Sequence, residues 1–333
     1  MLKRGFWLNT VFVIILACLV ITGIAVGEAW AKEKKTVVML RWRYRDKTDD
    51  AFVRVLNTSQ YEIIVQDYEA DQNKDKLVEI IKSLDPSKID LIYATSSTVS
   101  SILLETTEKY VPKLKEIPVV FNLNSYPIEG GIIKSWEHSG NNFTGVSHAV
   151  PVDALFKILK KIVNFKRLGM IFNPKETNCI AQRDEAKALE NTFNFTLITA
   201  NFTTKDDLES AMSTFDKEKV DAVWLPTSLA TIANQETLLK PINERKLPTV
   251  AAQLDLARRK NENAALVALG ADFVKCGELA GRKGLEILAG KKPNDIPSEK
   301  LGKYDLVVNL QTARKIDKKI PVNVLEMASE IVE

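Results

Sequence analysis

The sequence predicts an α/β fold made of two lobes, each built on a parallel sheet, with a cleft between them. Short β-branched or apolar runs alternate with amphipathic stretches, and this order of strand, helix and strand gives parallel sheets. The same pattern starts again after residue 150. About 300 residues follow the N-terminal segment, which is more than one hydrophobic core usually serves.

The chain begins with a segment that we expect to direct export. Lys3 and Arg4 precede an apolar run over residues 6–26, and Ala29-Trp30-Ala31 then forms a small-x-small cleavage pattern. This order of charge, apolar run and cleavage site is that of a secretory signal. Residues 1–31 are therefore predicted to be a signal peptide, and the mature protein to be periplasmic or otherwise extracytoplasmic.

Two other interpretations of this segment stay open. The apolar run is as long as the roughly 20 residues needed to cross a bilayer, so an uncleaved, membrane-anchored form is one alternative. Lipid attachment at Cys18 is less favoured, because the bulky Leu16 lies beside Ala17 and a long apolar stretch follows. No later segment has a comparable apolar run, so we expect the mature part to be soluble.

The first unit of the mature chain contains strands separated by helices. Leu77, Ile80, Ile81 and Leu84 recur at helical spacing, and Asp85-Pro86 ends that helix. Strands are predicted over residues 36–40, 90–94 and 117–121.

The second unit repeats this order. Asp153 is placed to cap a helix that carries Leu155, Phe156, Leu159 and Ile162 on one face. No sequence repeat, low-complexity tract or long linker separates the two units, so we expect them to exchange strands. Further helices are predicted over residues 181–192 and 205–215, and strands over 168–172, 222–225, 249–252 and 265–269.

Charge argues against a nucleic-acid partner. The chain has 46 Lys and Arg residues and 43 Asp and Glu residues. Without Lys3, Arg4 and Glu28 of the predicted signal peptide these counts become 44 and 42, a net charge of +2. Nucleic-acid binding normally demands a pronounced basic face, and this balance does not supply one.

The residues that catalysis or metal binding would need are scarce. His138 and His148 are the only histidines, which excludes a multi-histidine metal site and argues against a histidine-based triad. A lone histidine such as His148, near the expected hinge, is more often structural. No nucleophile elbow or phosphate-binding glycine loop follows a predicted strand. Cys179 and Cys276 remain after cleavage and allow at most one disulfide, with separate buried thiols favoured. We therefore expect no enzyme activity, no cofactor and no metal.

Polar and aromatic side chains collect where the predicted strands end. In open parallel sheets ligands bind just beyond the carboxyl ends of strands, where helix N-termini offer unpaired N–H groups. Two such rims, one from each unit, predict two lobes that face one cleft. The candidate ligand-binding residues are Trp42, Tyr44, Thr95, Ser96, Ser97, Thr98 and Asn124 in the first unit, and Asn173, Glu176, Asn178, Thr227, Ser228 and Gln253 in the second.

Each cluster also has a purely structural interpretation. The hydroxyls of residues 95–98 could cap a helix, and we weigh capping and ligand contact equally. Asn173-Pro174 could be only a turn, and Glu176 taken alone could be solvated. Trp42 and Tyr44 alternate with arginines at the end of a strand, so stacking on a ligand is favoured over a place in the core.

Five stretches of the chain resemble a known family. Each is loose alone, but together and in this order they resemble the ABC-transporter substrate-binding proteins of the tryptophan and tyrosine type. The resemblance covers nearly the whole mature chain and implies a type I periplasmic-binding fold with two Rossmann-like lobes. The stretches are IPVVFNLNSYP (117–127), GNNFTGVS (140–147), RLGMIFNPKETN (167–178), LGADFVKCGELAGRKGLEILAGKKPNDIP (269–297) and LVVNLQTARKIDKKIP (306–321).

The resemblance also implies how the lobes are assembled. Lobe 1 would contain residues 36–124 and 265–292, and lobe 2 would contain residues 125–264 and 293–333. Ligand groups of the family lie after strands, which points to residues 95–98 on the first lobe. On the second lobe they would include Asn173, Glu176 and Asn178.

Three positions depart from the family's pattern. Asn124 stands where the family usually has an acidic residue, and Asp272-Phe273 stands where it has an Asp-Tyr pair. Ser228 replaces an Asp that commonly pairs with the ligand's ammonium group. Because a buried ammonium without a carboxylate partner is costly, either Glu176 or Asp272 takes that role or the ligand is not an α-amino acid.

The function implied is capture of a small organic ligand, amino-acid-like or aromatic, by closure of the lobes, followed by docking on an ABC permease in the membrane. We expect a monomer. One alternative keeps the fold and makes the protein the periplasmic ligand-sensing partner of a membrane signalling receptor. A more remote one is an exported hydrolase that uses Glu176 and Asp272 as a carboxylate pair.

Overall fold

Two sheets, each with a hydrophobic core on both faces, organise the computed structural model. The structure describes residues 32–260 and 263–333. The predicted signal peptide, residues 1–31, lies outside the described residues. Within them, no helix combines the length and apolar character that crossing a bilayer requires.

The first sheet has six strands, and all of their pairings are parallel. The strands are β1 (Lys34–Arg41), β2 (Glu62–Glu69), β3 (Leu91–Thr95), β4 (Val119–Asn122), β5 (Phe143–Ser147) and β11 (Glu299–Lys300). Their order is β11-β5-β4-β3-β1-β2. Because successive side chains point to opposite faces, Val38 and Leu40 of β1 enter one core while Val37 and Met39 enter the other.

The second sheet has seven strands and one antiparallel pairing, that of β10 with β12. The strands are β6 (Arg167–Phe172), β7 (Thr196–Asn201), β8 (Ala222–Leu225), β9 (Thr249–Ala251), β10 (Val267–Ala271), β12 (Tyr304–Asn309) and β13 (Glu330–Val332). Their order is β13-β12-β10-β9-β8-β6-β7. The predicted α/β fold with two parallel-dominated sheets is confirmed.

Helices connect the strands and cover both sheets. In chain order they are α1 (Lys47–Leu56), α2 (Lys74–Ser83), α3 (Ser97–Lys109), α4 (Val152–Ile162), α5 (Thr177–Ala188), α6 (Glu190–Phe193), α7 (Leu208–Lys217), α8 (Leu229–Ala233), α9 (Gln235–Glu244), α10 (Asp255–Arg258), α11 (Phe273–Leu288), α12 (Leu310–Lys315) and α13 (Val322–Met327). Helices α1, α2, α3 and α11 contribute to the cores of the first sheet.

The chain crosses between the lobes later than the expected boundaries. The expected first lobe was residues 36–124 and 265–292. However, β5 pairs with β4 in the first sheet, so the first crossing comes after Ser147. Strand β10 pairs with β9 and β12 in the second sheet, so the return comes after Ala271. Strand β11 then belongs to the first sheet, before the crossing to β12. The difference arises because sheet membership depends on pairing between distant segments, which local patterns do not contain.

Helix α11 packs against α1 at very short range. A Cβ atom on Gly277 would lie 2.1 Å from the Thr48 carbonyl oxygen, and one on Gly281 would lie 3.0 Å from the Phe52 carbonyl oxygen. Only glycine permits this approach of two backbones. The contact holds the first turn of α1, which contains Thr48 and Asp49, against the helix that follows the second crossing.

Candidate functional site

A cavity lies between the two sheets, at the carboxyl ends of their strands. Its space is about 720 Å³, open solvent included. Segments after β1, β3 and β4 form one wall, and segments after β6, β8 and β9 form the other. This is where open α/β sheets bind ligands. The predicted ligand-binding residues that line it are Trp42, Tyr44, Thr95, Ser96, Ser97, Thr98, Glu176, Asn178, Thr227, Ser228 and Gln253.

The N-terminus of α3 faces this cavity. Its N-cap, Ser96, has a φ of 90°, a backbone conformation that is rare for a residue with a Cβ atom. The Ser96 N–H donates to the Asn122 carbonyl at 2.8 Å, and the Ser96 hydroxyl accepts from the Val99 N–H at 3.3 Å. The first N–H groups of a helix lack helical acceptors, so those of Ser97 and Thr98 are available to an anion.

Aromatic side chains at the end of β1 form the outer part of the first wall. Trp42 is half-buried against the core of the lobe, whereas Tyr44 is 61% exposed. The guanidinium of Arg43 lies 5.0 Å from the centroid of the Tyr44 ring. Phe273, at the start of α11, also lines the cavity. These rings offer flat apolar faces to a bound molecule.

Arg41 lines the cavity, but its charge is neutralised within the first lobe. Its Nε donates to Asp67 at 2.6 Å and its Nη1 reaches Glu69 at 3.4 Å. Nη1 also donates to the Arg43 carbonyl at 2.8 Å. The side chain is therefore a structural brace for the end of β1.

Asp49 lines the cavity and was not among the predicted residues. It is 2% exposed and completes a capping box with Asp46, whose backbone N–H donates to it at 3.1 Å. The Thr95 hydroxyl donates to its other carboxylate oxygen at 3.3 Å. Burial raises the pKa of Asp49 to about 6, and the charge of Asp46 adds to this effect. The spacing of Asp46 and Asp49 just after a strand was the available sequence signal.

Glu176, in the opposite wall, is fully engaged by its own lobe. Its carboxylate accepts hydrogen bonds from the Asn173 amide at 3.0 Å and the Ser228 hydroxyl at 3.2 Å. The backbone N–H groups of Leu229 and Ala230 donate to it at 2.9 and 3.2 Å. Glu176 thus caps the N-terminus of α8, where the partial positive charge of the helix favours a carboxylate.

The loop between β8 and α8 is held by amide side chains of α5. The Asn178 amide donates to the Thr227 carbonyl at 2.7 Å. Gln182 both donates to that carbonyl at 3.1 Å and accepts from the Thr227 N–H at 2.9 Å. Gln182 was not predicted, since it lies one helical turn beyond the strand-end cluster. This bracing positions Thr227 and Ser228 along the cavity.

Two buried polar side chains line the cavity with an atom that has no partner among the described residues. Gln253, after β9, is 5% exposed, and its Oε1 lacks a donor. His148, at the first crossing, is also 5% exposed. Its Nε2 hydrogen-bonds the Ser125 hydroxyl at 3.2 Å, and its Nδ1 is unpaired. Burial lowers the pKa of His148 to about 4, so the ring is neutral at physiological pH.

Three predicted residues lie outside this cavity. Asn124 is buried behind α3 and accepts from the Ser97 hydroxyl at 2.9 Å. Asn173 supports Glu176 through its amide. Asp272 caps α11 by accepting from the Val274 N–H at 2.9 Å, and it lines an adjoining cavity instead. Glu176 and Asp272 therefore line different cavities, and each of them caps a helix.

The cysteines of the described chain are free thiols in different lobes. Cys179 is buried in a core of the second sheet and Cys276 in a core of the first. Burial raises the pKa of both thiols, that of Cys276 to about 12. Over residues 32–260 and 263–333, no group of three or more His, Cys, Asp or Glu side chains is placed to hold a metal ion.

Comparison with known proteins identifies relatives along most of the chain. The profile of a family described as ABC transporter substrate binding protein matches residues 37–332. A "Tyrosine-binding protein" of Clostridioides difficile (strain R20291) is 27% identical over 277 residues, which is 82% of this chain and 77% of that protein.

Solved structures share the fold. A conserved domain protein of Vibrio cholerae superposes with a TM-score of 0.79 at 24% identity, covering 89% of this chain and 99% of that one. An ABC domain from Streptococcus pneumonia in complex with L-Trp gives 0.78 at 20% identity, covering 90% and 100%. A ribose ABC transporter structure from Conexibacter woesei gives 0.58 at 12% identity, covering 87% and 97%. The resemblance noted from the sequence is confirmed, and this chain belongs to the family of ABC transporter substrate-binding proteins.

Proposed function

We propose that this protein is the extracytoplasmic solute-binding component of an ABC importer and that its ligand is a small carboxylate, amino-acid-like or aromatic. One observation carries the proposal. In a single cavity between the lobes, the N-terminus of α3 meets the rings of Trp42, Tyr44 and Phe273. Helix N-terminal N–H groups attract an anion, and aromatic faces hold an apolar group.

Two relatives support this ligand class. One is named a tyrosine-binding protein, and a structural neighbour holds L-Trp. Each of these ligands joins a carboxylate to an aromatic ring. In our proposal the carboxylate lies against the N–H groups of Ser97 and Thr98, and the ring stacks on Trp42 and Tyr44.

Lobe closure is the proposed capture step. The three crossings between the lobes form a hinge, because few backbone segments would have to rotate. At the hinge, the Tyr126 hydroxyl of the first lobe donates to Glu185 of the second at 2.8 Å. The ligand would first rest on the first lobe. Rotation would then bring Gln253 and the rest of the second wall onto it and exclude water.

Family membership and the predicted signal peptide, residues 1–31, support an extracytoplasmic location. In the proposed cycle the protein acts as a monomer, and its closed form docks on a membrane permease.

The test uses the mature chain, residues 32–333, in calorimetry and thermal unfolding. The panel contains the twenty standard L-amino acids, indole-3-propionate, 3-(4-hydroxyphenyl)propionate and, as uncharged controls, ribose and indole-3-propionamide. We expect at least one carboxylate to bind with Kd of about 10 μM or tighter, which at 1 mM adds nearly 3 kcal/mol of stability. Absence of binding by every carboxylate to a folded sample would overturn the proposal.

A further inference from the structure

A zwitterionic ligand would need an acceptor for its positive group, and the nearest acidic candidate of the second lobe is already occupied. Glu176 accepts hydrogen bonds from Asn173, Ser228 and the backbone of α8. These donors stabilise its negative charge at a helix N-terminus and occupy its oxygen atoms. Asp272 is engaged in the same way at α11 and lines the adjoining cavity. Neither carboxylate is free to receive a cation in this cavity.

Asp46 and Asp49 also line the cavity. Asp46 accepts from the Thr48 N–H at 2.8 Å and lies 3.8 Å from a guanidinium nitrogen of Arg43, so Asp49 is the carboxylate that has no cationic partner. It is 2% exposed, lines the cavity and accepts hydrogen bonds from the Asp46 N–H and the Thr95 hydroxyl, with the buried Tyr93 hydroxyl as a further donor. No ion pair joins it to a described cation, because Arg41 is taken by Asp67 and Glu69. An ionised carboxylate that is buried without a cationic partner destabilises a fold.

The pKa of Asp49 is raised to about 6, because the ionised form of this buried carboxylate is destabilised. Burial is its main cause and the neighbouring Asp46 the second. Groups with pKa values perturbed by burial in a cleft are concentrated at functional sites, since a purely structural position gains nothing from an unpaired charge. A cation placed against Asp49 would restore its pKa and offset the cost of burial.

An independent observation comes from the opposite wall. Gln253 is nearly as buried, and its Oε1 has no hydrogen-bond donor among the described residues. His148, at the hinge, leaves Nδ1 without a partner in the same cavity. Buried polar atoms are nearly always paired, so these two atoms indicate a hydrogen-bonding molecule between the lobes.

We propose that Asp49 of the first lobe and Gln253 of the second bind the protonated amine of an α-amino acid. This inference rests on the proposed function and adds the residues that recognise the positive group. Thr95 brings Asp49 close to the N-terminus of α3. Its hydroxyl donates to Asp49, and the next residue, Ser96, caps α3. The amine and carboxylate of an α-amino acid are separated by one carbon atom. Asp49 and the N–H groups of Ser97 and Thr98 would therefore hold adjoining parts of the ligand.

The experiment compares each amino acid that binds with its des-amino analogue, such as L-tryptophan with indole-3-propionate and L-tyrosine with 3-(4-hydroxyphenyl)propionate. Calorimetry at pH 7.5 is performed on the wild type, Asp49→Asn and Asp50→Asn. Asp50 is the matched control, since it is the next residue of α1 and exposed, and it lies outside the cavity. We expect the wild type and Asp50→Asn to prefer the amino acid at least tenfold. Asp49→Asn should lose that preference and bind the des-amino acid within threefold of the wild type.

A second variant covers the case in which Asp49→Asn does not fold. Gln253→Met removes the carbonyl at similar volume and should weaken binding of the amino acid about tenfold while sparing the des-amino acid. Equal binding of the two ligands by the wild type, or equal preferences in Asp49→Asn and Asp50→Asn, would overturn the inference and leave the proposed function standing. So would binding of non-amino carboxylates alone. If no carboxylate binds, both proposals fall.

Discussion

The Thr95 hydroxyl donates a 3.3 Å hydrogen bond to the Asp49 carboxylate, and this contact joins the end of β3 to the first turn of α1 inside the cavity. It places a buried negative charge beside the positive end of α3. In our proposal the first lobe therefore holds the ligand's carboxylate and its amine at adjoining positions. The energetic consequences of this arrangement can be measured without a ligand.

The first prediction concerns the stability of the empty protein. The folded-state pKa of Asp49 is about 6, above the unfolded value of about 3.9, so the folded state binds this proton more tightly. The stability that the protein gains by binding this proton is complete below pH 4, and it is lost as the pH rises through 6. Asp49→Asn, which stays neutral, should therefore be more stable than the wild type by about 3 kcal/mol at pH 7.5. Urea unfolding at pH 7.5 and 4.5 checks this, and the difference should shrink at pH 4.5. A less stable variant at pH 7.5 would show that capping by Asp49 dominates.

A second prediction gives the pH dependence of binding. At pH 7.5 Asp49 is ionised, and below its pKa of about 6 it becomes neutral and loses attraction for a cation. Affinity for an amino acid should fall by up to tenfold for each pH unit below 6. The charge of Asp46 raises the pKa of Asp49, whereas the charge of Arg41 and the hydrogen bond from Tyr93 lower it. The Thr95 hydroxyl also donates a hydrogen bond to Asp49. Calorimetry from pH 8 to 5 measures the effect, and Asp49→Asn should give a flat profile. A sloping profile in that variant would assign the titration to another group.

His148 is predicted to make the protein sensitive to acid. Its folded-state pKa of about 4 is below the unfolded value of about 6.5, because burial disfavours the charged ring. Stability is therefore lost as the pH falls from 6.5 towards 4, by about 3 kcal/mol. His148→Gln should remove this loss, and His138→Gln, at the exposed second histidine, should not. At each pH, the unfolding free energy of the wild type is subtracted from that of each variant. Asp49 is present in all three proteins, so its opposite pH dependence cancels in this difference. Parallel curves for the two variants would contradict it.

A fourth prediction isolates the backbone donor at the start of α3. Ser97→Pro removes the first N–H of the helix, at the first helical position, where proline is best tolerated. Ser97→Ala removes only the hydroxyl that bonds Asn124. A hydrogen bond to a charged group contributes about 1.5–3 kcal/mol, so the proline variant should bind carboxylates about ten- to hundredfold more weakly than the alanine variant. Calorimetry of both variants tests this. Equal affinities would place the carboxylate elsewhere.

Much of the fold is predictable because buried strands are continuous apolar runs. Strand β8 matches the predicted 222–225, and β6 contains the predicted 168–172. Strand β2 was missed because its sequence, EIIVQDYE, mixes charge with apolar residues. That composition reflects its place at the edge of the sheet, where it pairs with β1 alone and stays partly exposed.

The candidate site was predictable where it follows strand ends and not where it depends on distant packing. The hydroxyl side chains of residues 95–98 lie at the end of β3, so the local sequence pattern was enough to place them at the strand end. Asp49 enters the cavity from a helix that Gly277 holds in place from more than 200 residues away. Its role as an unpaired charge depends on contacts that arise only when the lobe is folded. Likewise, Glu176 looked available in the sequence because most of its donors, the Ser228 hydroxyl and the first N–H groups of α8, lie more than 50 residues away in the chain.

The last prediction separates Glu176 from Asp49. Because the Glu176 carboxylate accepts from three side chains and two backbone N–H groups, Glu176→Gln would turn an amide NH₂ towards donors. We expect a loss of about 2 kcal/mol in unfolding free energy, close to that of a lost cap with an unpaired buried donor. The exposed Asp184→Asn on the same lobe serves as the control and should change stability by less than about 0.5 kcal/mol.

The preference of Glu176→Gln for an amino acid over its des-amino analogue should remain that of the wild type. This follows because a cation cannot approach Glu176 without displacing the donors that cap α8. If the preference disappears while stability is unchanged, Glu176 holds the ligand's positive group, and the unpaired charge of Asp49 then needs another explanation. Glu176→Gln should lower the stability and keep the preference for an amino acid, whereas Asp49→Asn should raise the stability at pH 7.5 and lose that preference. Measuring both properties therefore distinguishes the structural carboxylate from the ligand-binding one.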